Sequence, residues 1–232
     1  METSVKMSPV MSTDYAWVRK FDPKKRVLTG PVYYSVKRLL DLALVILTAP
    51  FWLPLIGVIA LLIKGTSPGG PALFMQYRTG KGGQRFRMYK FRSMVPNAEE
   101  LKSGLAQLNA DGELAGPLKL ENDPRVTKIG RILRKTSLDE IPQLFNVLRG
   151  EMSLVGPRPT SWGTKSYKLW HTERLDVVPG LTGLFQIYGR GSQDFDLWLR
   201  LDIAYIERAS LWLDINILFR TFFEIFKQRG AH

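Results

Sequence analysis

The longest apolar stretch of the chain predicts two helices joined at a break. Residues 42–63 carry no charged side chain over 22 positions. As an α-helix rising ~1.5 Å per residue they would extend ~33 Å, which is enough to cross the hydrocarbon core of a bilayer. Pro50 and Pro54 interrupt the stretch, and each proline removes an amide donor from a helix. We therefore expect a break at Pro50, where the Thr48 hydroxyl can donate to a carbonyl left without a partner.

The charges around this stretch favour a hairpin that enters and leaves by the same side of a membrane. Basic residues lie before it at Lys37 and Arg38, and after it at Lys64, Arg78, Lys81 and Arg85. Loops rich in lysine and arginine stay in the cytoplasm, so both flanks are expected there. A re-entrant hairpin satisfies both the prolines and the charges. A buried helix of a soluble protein is the alternative, which so long an uncharged run disfavours.

Other segments predict a small β-hairpin and two C-terminal helices. Residues 72–78 and 84–91 read as short strands around the glycine-rich turn 79–83. From Phe195 onward the apolar period is helical, and the last helix carries a stripe composed of Trp212, Ile215, Leu218, Phe219, Phe222, Phe223 and Phe226. Such a stripe fits a helix lying at a bilayer surface, and it equally fits a helix packed on a core.

Composition narrows the possible chemistry. The chain has 33 lysines and arginines against 21 acidic residues, a net charge of +12. This indicates an anionic partner, which can be nucleic acid, an acidic lipid surface or a phosphate-bearing substrate. There is no cysteine and there are only two histidines, so disulfides, thiolate metal sites and cysteine nucleophiles are excluded. A nucleophile in this chain would therefore be a hydroxyl, an amine or a carboxylate.

The stretch 123–159 concentrates charges of both signs. Its cations Arg125, Lys128, Arg131, Arg134 and Lys135 lead into the adjacent carboxylates of Asp139 and Glu140. Ser137 and Glu140 have the spacing of a capping box, so both carboxylates are expected at a helix N-terminus, with Pro142 shifting its start by a residue or two. Capping alone explains Glu140. The surrounding cations, with Arg158 between Pro157 and Pro159, favour a phosphate site in which the two carboxylates have separate roles.

This stretch, together with KFRSM at 90–94 and PGLTG at 179–183, resembles the bacterial sugar transferases, the monotopic polyprenyl-phosphate phosphoglycosyl transferases. The resemblance extends from about residue 34 to residue 227. It implies that Asp139 is the catalytic nucleophile and that Glu140 binds Mg²⁺. The residues that it places at the substrate are Lys90, Arg92, Arg134, Arg158, Arg190 and, as a secondary candidate, Asp214.

The resemblance also implies a fold and an activity. The fold is α+β and helix-rich, with a basic tail at 1–32, a re-entrant membrane helix at 33–64 and a catalytic domain at 65–232 that contains the β-hairpin and interfacial helices. The tail is expected to be a mobile or surface-lying arm. The activity is transfer of a phosphosugar from a UDP-sugar to polyprenyl (undecaprenyl) phosphate through an aspartyl-phosphosugar, with release of UMP. The site would lie on the cytoplasmic face of a bacterial inner membrane, as the first membrane step of glycoconjugate or exopolysaccharide synthesis.

Two other classes stay open at this level. A nucleic-acid-binding protein would account for the net charge, but it explains neither the apolar run nor carboxylates framed by arginines, and we expect no nucleic-acid partner. A non-catalytic scaffold at the membrane surface would account for the anchoring, and it predicts that Asp139→Asn leaves function intact. The sequence does not select the sugar or the oligomeric state.

Overall fold

The computed structural model describes residues 16–101, 123–161, 163, 169–189 and 195–227, which form an α+β, helix-rich fold. In chain order its elements are α1 Gly30–Leu47, α2 Ala49–Thr66, β1 Leu73–Thr79, β2 Arg85–Phe91, α3 Lys128–Thr136, α4 Leu144–Arg149, β3 Ser153–Val155, β4 Gly180–Thr182, α5 Phe195–Arg208 and α6 Leu211–Lys227. Shorter 3₁₀ turns include Ala16–Lys20 and Leu138–Gln143. β1 and β2 pair antiparallel, and β3 and β4 pair in parallel. The predicted β-hairpin is confirmed, with each strand beginning one residue later than expected.

The predicted break in the apolar stretch lies at Thr48, between α1 and α2. The Thr48 hydroxyl donates to the Leu44 carbonyl at 2.6 Å, as the sequence predicts. A second donor was not predicted: the Trp52 indole N–H reaches the Val45 carbonyl at 2.9 Å. Pro50 lies in the first turn of α2, where its missing amide donor has no helical partner to lose.

Both ends of the helix pair pack against the same body. On α1, Lys37 is buried and donates to Asp214 at 2.9 Å, and Asp41 is buried and accepts from the Ser153 hydroxyl at 2.7 Å. At the far end of α2, Ile63 is fully buried in a cluster with Phe91 and Leu133. Both helices of the pair are therefore attached to the same body, one through Lys37 and Asp41 and the other through Ile63.

The outer surface of the helix pair is apolar and exposed. Its exposed large side chains are Leu39, Leu40, Leu44, Ile46, Leu47, Phe51, Leu53, Leu55, Val58, Leu61 and Leu62. Within the part of the chain that the structure describes, one helix, Ala49–Thr66, is long and apolar enough to cross a membrane by those criteria alone. Soluble monomers rarely expose a continuous apolar patch of this kind, so this surface needs a partner other than water.

Helix α6 also has two faces of different character. Leu213 and Ile217 are fully buried in a core shared with Tyr33, Val155 and Tyr205. Of the stripe predicted on this helix, Trp212, Ile215, Phe219, Phe222 and Phe223 are exposed, and the side chain of Phe226 lies outside the described residues. Leu218, also in the predicted stripe, is partly buried against the core, so most but not all of the stripe faces away from the core. The periodicity left open a helix at a bilayer surface and a helix packed on the core. For the five exposed side chains, packing on the core does not apply, and they form an exposed apolar surface.

The N-terminal segment packs into the body from Trp17 onward. Val18 is buried in the core, and the Trp17 ring lies under the Arg220 guanidinium at 4.1 Å. Residues 1–15 lie outside the described residues, so the expected arm stays a prediction for them. For residues 17–21 the predicted surface-lying arm is wrong, because Trp17, Val18 and Phe21 pack in or against the core. These three side chains follow neither a helical nor a strand period, so the sequence pattern gave no signal of their burial.

Candidate active site

The two adjacent carboxylates lie on the 3₁₀ turn Leu138–Gln143, directly after α3. Ser137 joins the two elements in the left-handed region, with φ of 57°. Its side chain makes no capping hydrogen bond, so the predicted capping box is wrong. The α-helix begins only at Leu144, because a regular α-helix from Leu138 would need an amide of residue 142 to donate to the Leu138 carbonyl, and Pro142 has none. The turn leaves the Glu140 side chain available for contacts with distant parts of the chain.

Glu140 is clamped by two cations from separate elements. Lys90 on β2 donates to Glu140 Oε1 at 2.8 Å, and Arg158, after β3, donates to the same oxygen at 2.6 Å. Burial by itself raises the pKa of the Glu140 carboxyl, but the charges of Arg158 and Lys90 outweigh it and hold this pKa well below its ordinary value. Glu140 is thus a permanent anion that holds two cations beside its neighbour.

Asp139 has the opposite environment. Among the described residues no ion pair includes its carboxylate, whereas Glu140 takes part in two. Burial raises the pKa of the Asp139 carboxyl, Lys90 opposes that effect, and the Glu140 charge raises the pKa further. Arg134 and Arg158 also favour the ionised form. Asp139 is therefore a partly buried carboxylate near cations that do not bind it, which suits a nucleophile.

The backbone of Arg158 is held by a buried ion pair that the sequence reading did not identify. Arg158 lies between two prolines, so its amide is the only backbone donor of the Pro-Arg-Pro segment. Asp202 on α5 accepts a hydrogen bond from this amide, and Arg174 donates to the Arg158 carbonyl. Arg174 and Asp202 lie 2.7 Å apart, and burial raises the pKa of Asp202 to about 6 despite this pairing. The signal in the sequence was an acidic residue on the apolar face of α5.

Strand β2, which carries Lys90, is fixed by the side chain of Asn146. Asn146 on α4 is fully buried, accepts from the Tyr89 amide at 3.0 Å and donates to the Arg87 carbonyl at 2.7 Å. The amide side chain thus completes the outer edge of β2 in the manner of a neighbouring strand. Its sequence context contains no signal for this role, because a single asparagine in a helix has many functions.

A close approach of backbones places the Arg158 loop. β3 and β4 pair in parallel on either side of it, and the Gly180 amide donates to the Pro157 carbonyl at 2.8 Å. A Cβ atom at Gly180 would overlap the Gly156 backbone. Glycine at both positions therefore permits the spacing that presents Arg158 to Glu140.

A cavity of about 530 Å³ opens beside Glu140 and Arg158. Its polar end includes Ser137, and its walls are formed mainly by apolar side chains, among them Ile141, Leu144, Leu181, Phe185, Leu218 and Phe222. Its volume is that of a small-molecule site. The charged end can bind an anion, and the remainder can bind an apolar group.

The chain also matches known proteins. A family model described as "Bacterial sugar transferase" matches residues 32–228. The chain belongs to the bacterial sugar transferases. This bacterial sugar transferase is 44% identical over 85% of its length to "Undecaprenyl-phosphate galactose phosphotransferase" of Salmonella typhimurium, of which 42% is covered. It is 42% identical over 80% of its length to "UDP-glucose:undecaprenyl-phosphate glucose-1-phosphate transferase" of Caulobacter vibrioides, of which 67% is covered.

A third relative has nearly the same length as this sugar transferase. "Exopolysaccharide production protein ExoY" of Rhizobium meliloti is 36% identical over 91% of the chain, and the match covers 95% of that relative. For several other curated relatives the chain spans less than half of their length.

The predicted substrate residues of this sugar transferase fall into different places. Lys90, Arg158 and Arg134 surround the dyad, and Arg134 also donates to the Ser93 hydroxyl at 2.8 Å. Arg92 is buried with its guanidinium on the Ser67 carbonyl, and it is not among the charges with the largest effects on the pKa values of Asp139 and Glu140. Arg190 lies outside the described residues. The substrate roles of all five residues stay predictions.

Asp214 lies in a second polar cluster of the sugar transferase. It accepts from Lys37 at 2.9 Å, from the Tyr33 hydroxyl at 2.8 Å and from the Tyr205 hydroxyl at 2.7 Å. These contacts join α1, α5 and α6. The structure thus gives Asp214 a role in docking the helix pair, and a role at the substrate stays a prediction.

The cations beside the dyad are only partly those that precede it in sequence. Of the five cations between residues 125 and 135, Arg134 is among the charges with the largest effects on the Asp139 pKa. Arg125 pairs with Asp123 at 2.7 Å. The cations that bond to Glu140 are instead Lys90 and Arg158, which lie 50 and 18 positions away in the sequence. The sequence pattern alone favours the cations at 125–135 for this place beside the dyad.

The donor set of the sugar transferase fits a magnesium ion that is shared with a substrate. No group of three or more histidine, cysteine, aspartate or glutamate side chains within the described ranges could hold a metal. Magnesium often uses only one or two carboxylates, with substrate phosphates and water completing its shell. Glu140 Oε2 has a long 3.4 Å contact with Arg158, so this oxygen retains capacity for a cation.

Proposed function

We propose that this bacterial sugar transferase moves a phosphosugar from a UDP-sugar to polyprenyl phosphate, with Asp139 as nucleophile. The observation that carries the proposal is the pair of unlike carboxylates: Glu140 is neutralised by Lys90 and Arg158, while Asp139 makes no ion pair within the described residues. The names of relatives support the substrates, since two refer to undecaprenyl phosphate and one to UDP-glucose.

In the first step an oxygen of Asp139 attacks the sugar-linked phosphorus of the UDP-sugar. The bond from that phosphorus to the bridging oxygen breaks, and UMP leaves with the bridging oxygen. Both reactants are anions, so the approach depends on nearby positive charge. Lys90, Arg158 and Arg134 supply that charge. Asp139 then carries the phosphosugar as an acyl phosphate.

In the second step an oxygen of polyprenyl phosphate attacks the same phosphorus. The bond to Asp139 breaks, which releases polyprenyl diphosphosugar and restores the carboxylate. Splitting the transfer into two displacements lets both substrates use one set of cations in turn. Such a reaction would begin the membrane-bound assembly of a glycoconjugate or exopolysaccharide.

We assign Mg²⁺ to Glu140, next to the nucleophile. When bound, the ion would neutralise the diphosphate. Lys90 and Arg158 hold the Glu140 carboxylate in place for that task. Chelation of divalent cations should abolish UMP release, and release that persists in chelator would contradict this assignment.

We further propose that α1 and α2 form a re-entrant hairpin on the cytoplasmic face of the inner membrane. Lys37 and Asp41 bind the body, so only residues 42–47 of α1 extend past them, ~9 Å of helix against a core of ~30 Å. This length is too short for α1 to cross. The basic flanks assign both ends to the cytoplasm. An acceptor with a long lipid tail leaves a bilayer only at a large hydrophobic cost, so the enzyme must work at its surface.

The test uses the full chain in membranes with a panel of UDP-sugars and undecaprenyl phosphate. Wild type should release UMP with at least one sugar, and mass spectrometry should detect a phosphosugar on Asp139. Asp139→Asn should lose UMP release by about 10³-fold or more while remaining folded. Asp176→Asn, at an exposed position, is the matched control. Full activity of the Asp139→Asn variant would favour the scaffold alternative.

A further inference from the structure

The walls of the cavity beside Glu140 are mainly apolar, although Gln186 also lines it and its buried Oε1 has no hydrogen-bond partner within the described residues. Ile141, Leu144, Leu181, Phe185 and Leu218 contribute to it from separate elements. Two of its polar side chains, Thr182 and Thr221, bond to each other at 2.7 Å. Sugar hydroxyls and base amides need partners when they leave water, and a hydrocarbon needs none. The walls therefore favour a hydrocarbon.

The aromatic residues of the cavity do not provide a slot for a base. The rings of Phe185 and Trp198 pack on each other with centroids 4.5 Å apart. A nucleobase stacks when an aromatic face is free on one side of it. Because these two rings are already in contact, at an interplanar angle of 52°, no base can insert between them.

The cavity is continuous with the exposed apolar face of α6. Phe222 lines it and is 58% exposed. On the same helix, Phe219 is 65% exposed and its ring lies 4.7 Å from that of Phe223. A lipid chain that enters past Phe222 would pass from one apolar environment to another.

The part of the cavity that Arg158 lines fits a phosphate. Arg158 lines it and is held by Glu140 through one strong contact at 2.6 Å and one weak contact at 3.4 Å. A guanidinium in this position retains donors for an anionic oxygen. Among the described residues that line the cavity, Arg158 is the one cation, and Glu224 adds a negative charge elsewhere on the wall. An anionic phosphate is therefore expected to bind at Arg158.

We infer that this cavity binds the hydrocarbon chain of the lipid phosphate acceptor next to its head, with the phosphate at Arg158 and the chain leaving past Phe222. The inference rests on the proposed function, because it assumes that a lipid phosphate is the second substrate. It adds a location and a set of walls: the nucleotide-sugar would bind on the Asp139 and Lys90 side, and the lipid on the α6 side.

The experiment separates the two half-reactions in the full chain. Leu218→Trp fills the cavity, and Ile215→Trp places the same residue on the exposed face of the same helix as control. Leu218→Trp should raise the KM for undecaprenyl phosphate by about tenfold or more, with an unchanged UMP burst and an unchanged KM for the UDP-sugar. Ile215→Trp should leave all three values within about twofold.

Three outcomes decide against the inference. An unchanged acceptor KM with a weakened UDP-sugar step would assign the cavity to the nucleotide, and no change in either step would leave it without a substrate. If Leu218→Trp does not fold, Leu144→Phe on the opposite wall carries the same expectations, and an unchanged acceptor KM in that variant overturns the inference. Absence of a UMP burst in wild type would instead contradict the proposed function itself.

Discussion

Asp139 and Glu140 are chemically alike and adjacent, yet their surroundings separate them. Glu140 receives Lys90 and Arg158 directly, which holds its pKa far below the ordinary range. Asp139 is affected by the same cations only at a distance, and burial raises its pKa. Two carboxylates whose pKa values are pushed apart commonly have different roles. Here the one with the higher pKa is the better nucleophile once ionised, and the other is the better holder of cations.

This difference predicts the acid limb of the pH profile. In the proposed mechanism Asp139 attacks only when ionised, so UMP release should be present above its raised pKa and lost as pH falls through it. Lys90→Met removes a charge that lowers this pKa, so the limb should move to higher pH. Lys90→Arg keeps the charge and should keep the limb near its wild-type position. The measurement is kcat/KM for UMP release against pH, and a limb that does not move in Lys90→Met contradicts the assignment.

Asp202 and Arg174 act on the site through Arg158. They bind its amide and its carbonyl, and both are buried, so the loop has little freedom to rotate the guanidinium away from Glu140. These residues touch no predicted substrate atom. We therefore assign them positioning roles.

Substitution of Asp202 should separate positioning from stability. Asp202→Ala leaves the Arg158 amide without an acceptor, which costs ~1–3 kcal/mol of free energy in the native loop. Because the loop then holds Arg158 less firmly, kcat should fall about tenfold or more, with a smaller effect on KM. Asp202→Asn keeps an acceptor oxygen and should recover most of kcat. Melting temperature in the same detergent controls for global destabilisation. If both variants lose the same amount of kcat, and each loss follows the fall in melting temperature, the role of Asp202 is structural only.

At the scale of elements, the α1–α2 pair is defined by local bonds and by its docking. Thr48 and Trp52 satisfy carbonyls at the break, which is necessary for backbone placed in lipid. Lys37 and Ile63 attach the two ends to one body. The hydrogen bonds of Thr48 and Trp52 permit the turn between α1 and α2. The attachments at Lys37 and Ile63 bring the chain back to the body from which it left.

Because the chain has no cysteine, single cysteines can map this topology directly. Ser35→Cys and Thr66→Cys, at exposed positions of α1 and α2, should both react with a membrane-impermeant maleimide in inverted vesicles and not in intact spheroplasts. Phe51→Cys, 78% exposed beside the break, should react only after detergent is added. Labelling of Ser35→Cys and Thr66→Cys from opposite sides would establish a full crossing and contradict the hairpin.

For the whole molecule, two surface properties point to the same partner. The net charge of +12 favours an anionic surface. The exposed apolar faces of the helix pair and of α6 favour hydrocarbon. A bilayer with acidic lipids offers both. Nucleic acid offers only the charge, which leaves the apolar faces without a partner.

This combination predicts how the protein leaves membranes. In 1 M salt the Debye length falls to ~3 Å, which removes most surface attraction but not apolar insertion. The protein should therefore stay in the membrane pellet after a high-salt wash and be released by detergent. Phe51→Lys with Leu61→Lys, which places charges on the outer face, should increase the fraction that salt extracts. Complete extraction of wild type by salt would indicate attachment by charge alone.

Local rules were sufficient for much of this molecule. The prolines and the uncharged run predicted a break at Pro50, which the structure has two residues earlier at Thr48, alternation predicted the β-hairpin, and the helical period predicted α5 and α6. These features depend on backbone geometry and on periodic burial, which neighbouring residues determine. The family motifs placed the reactive pair at Asp139 and Glu140, and that function stays proposed until the adduct is measured.

Tertiary structure decided which groups meet. Glu140 looked like half of a capping box, but Lys90 and Arg158 reach it from other elements, and a charged contact at 2.6 Å prevails over a local cap. Val18, Asn146, Asp202 and Asp214 have no local pattern that reveals their partners. The sequence by itself therefore determined most of the elements and the position of the two adjacent carboxylates in the chain. Only packing determined their electrostatic surroundings, because the charges that set a pKa lie near in space and far along the chain.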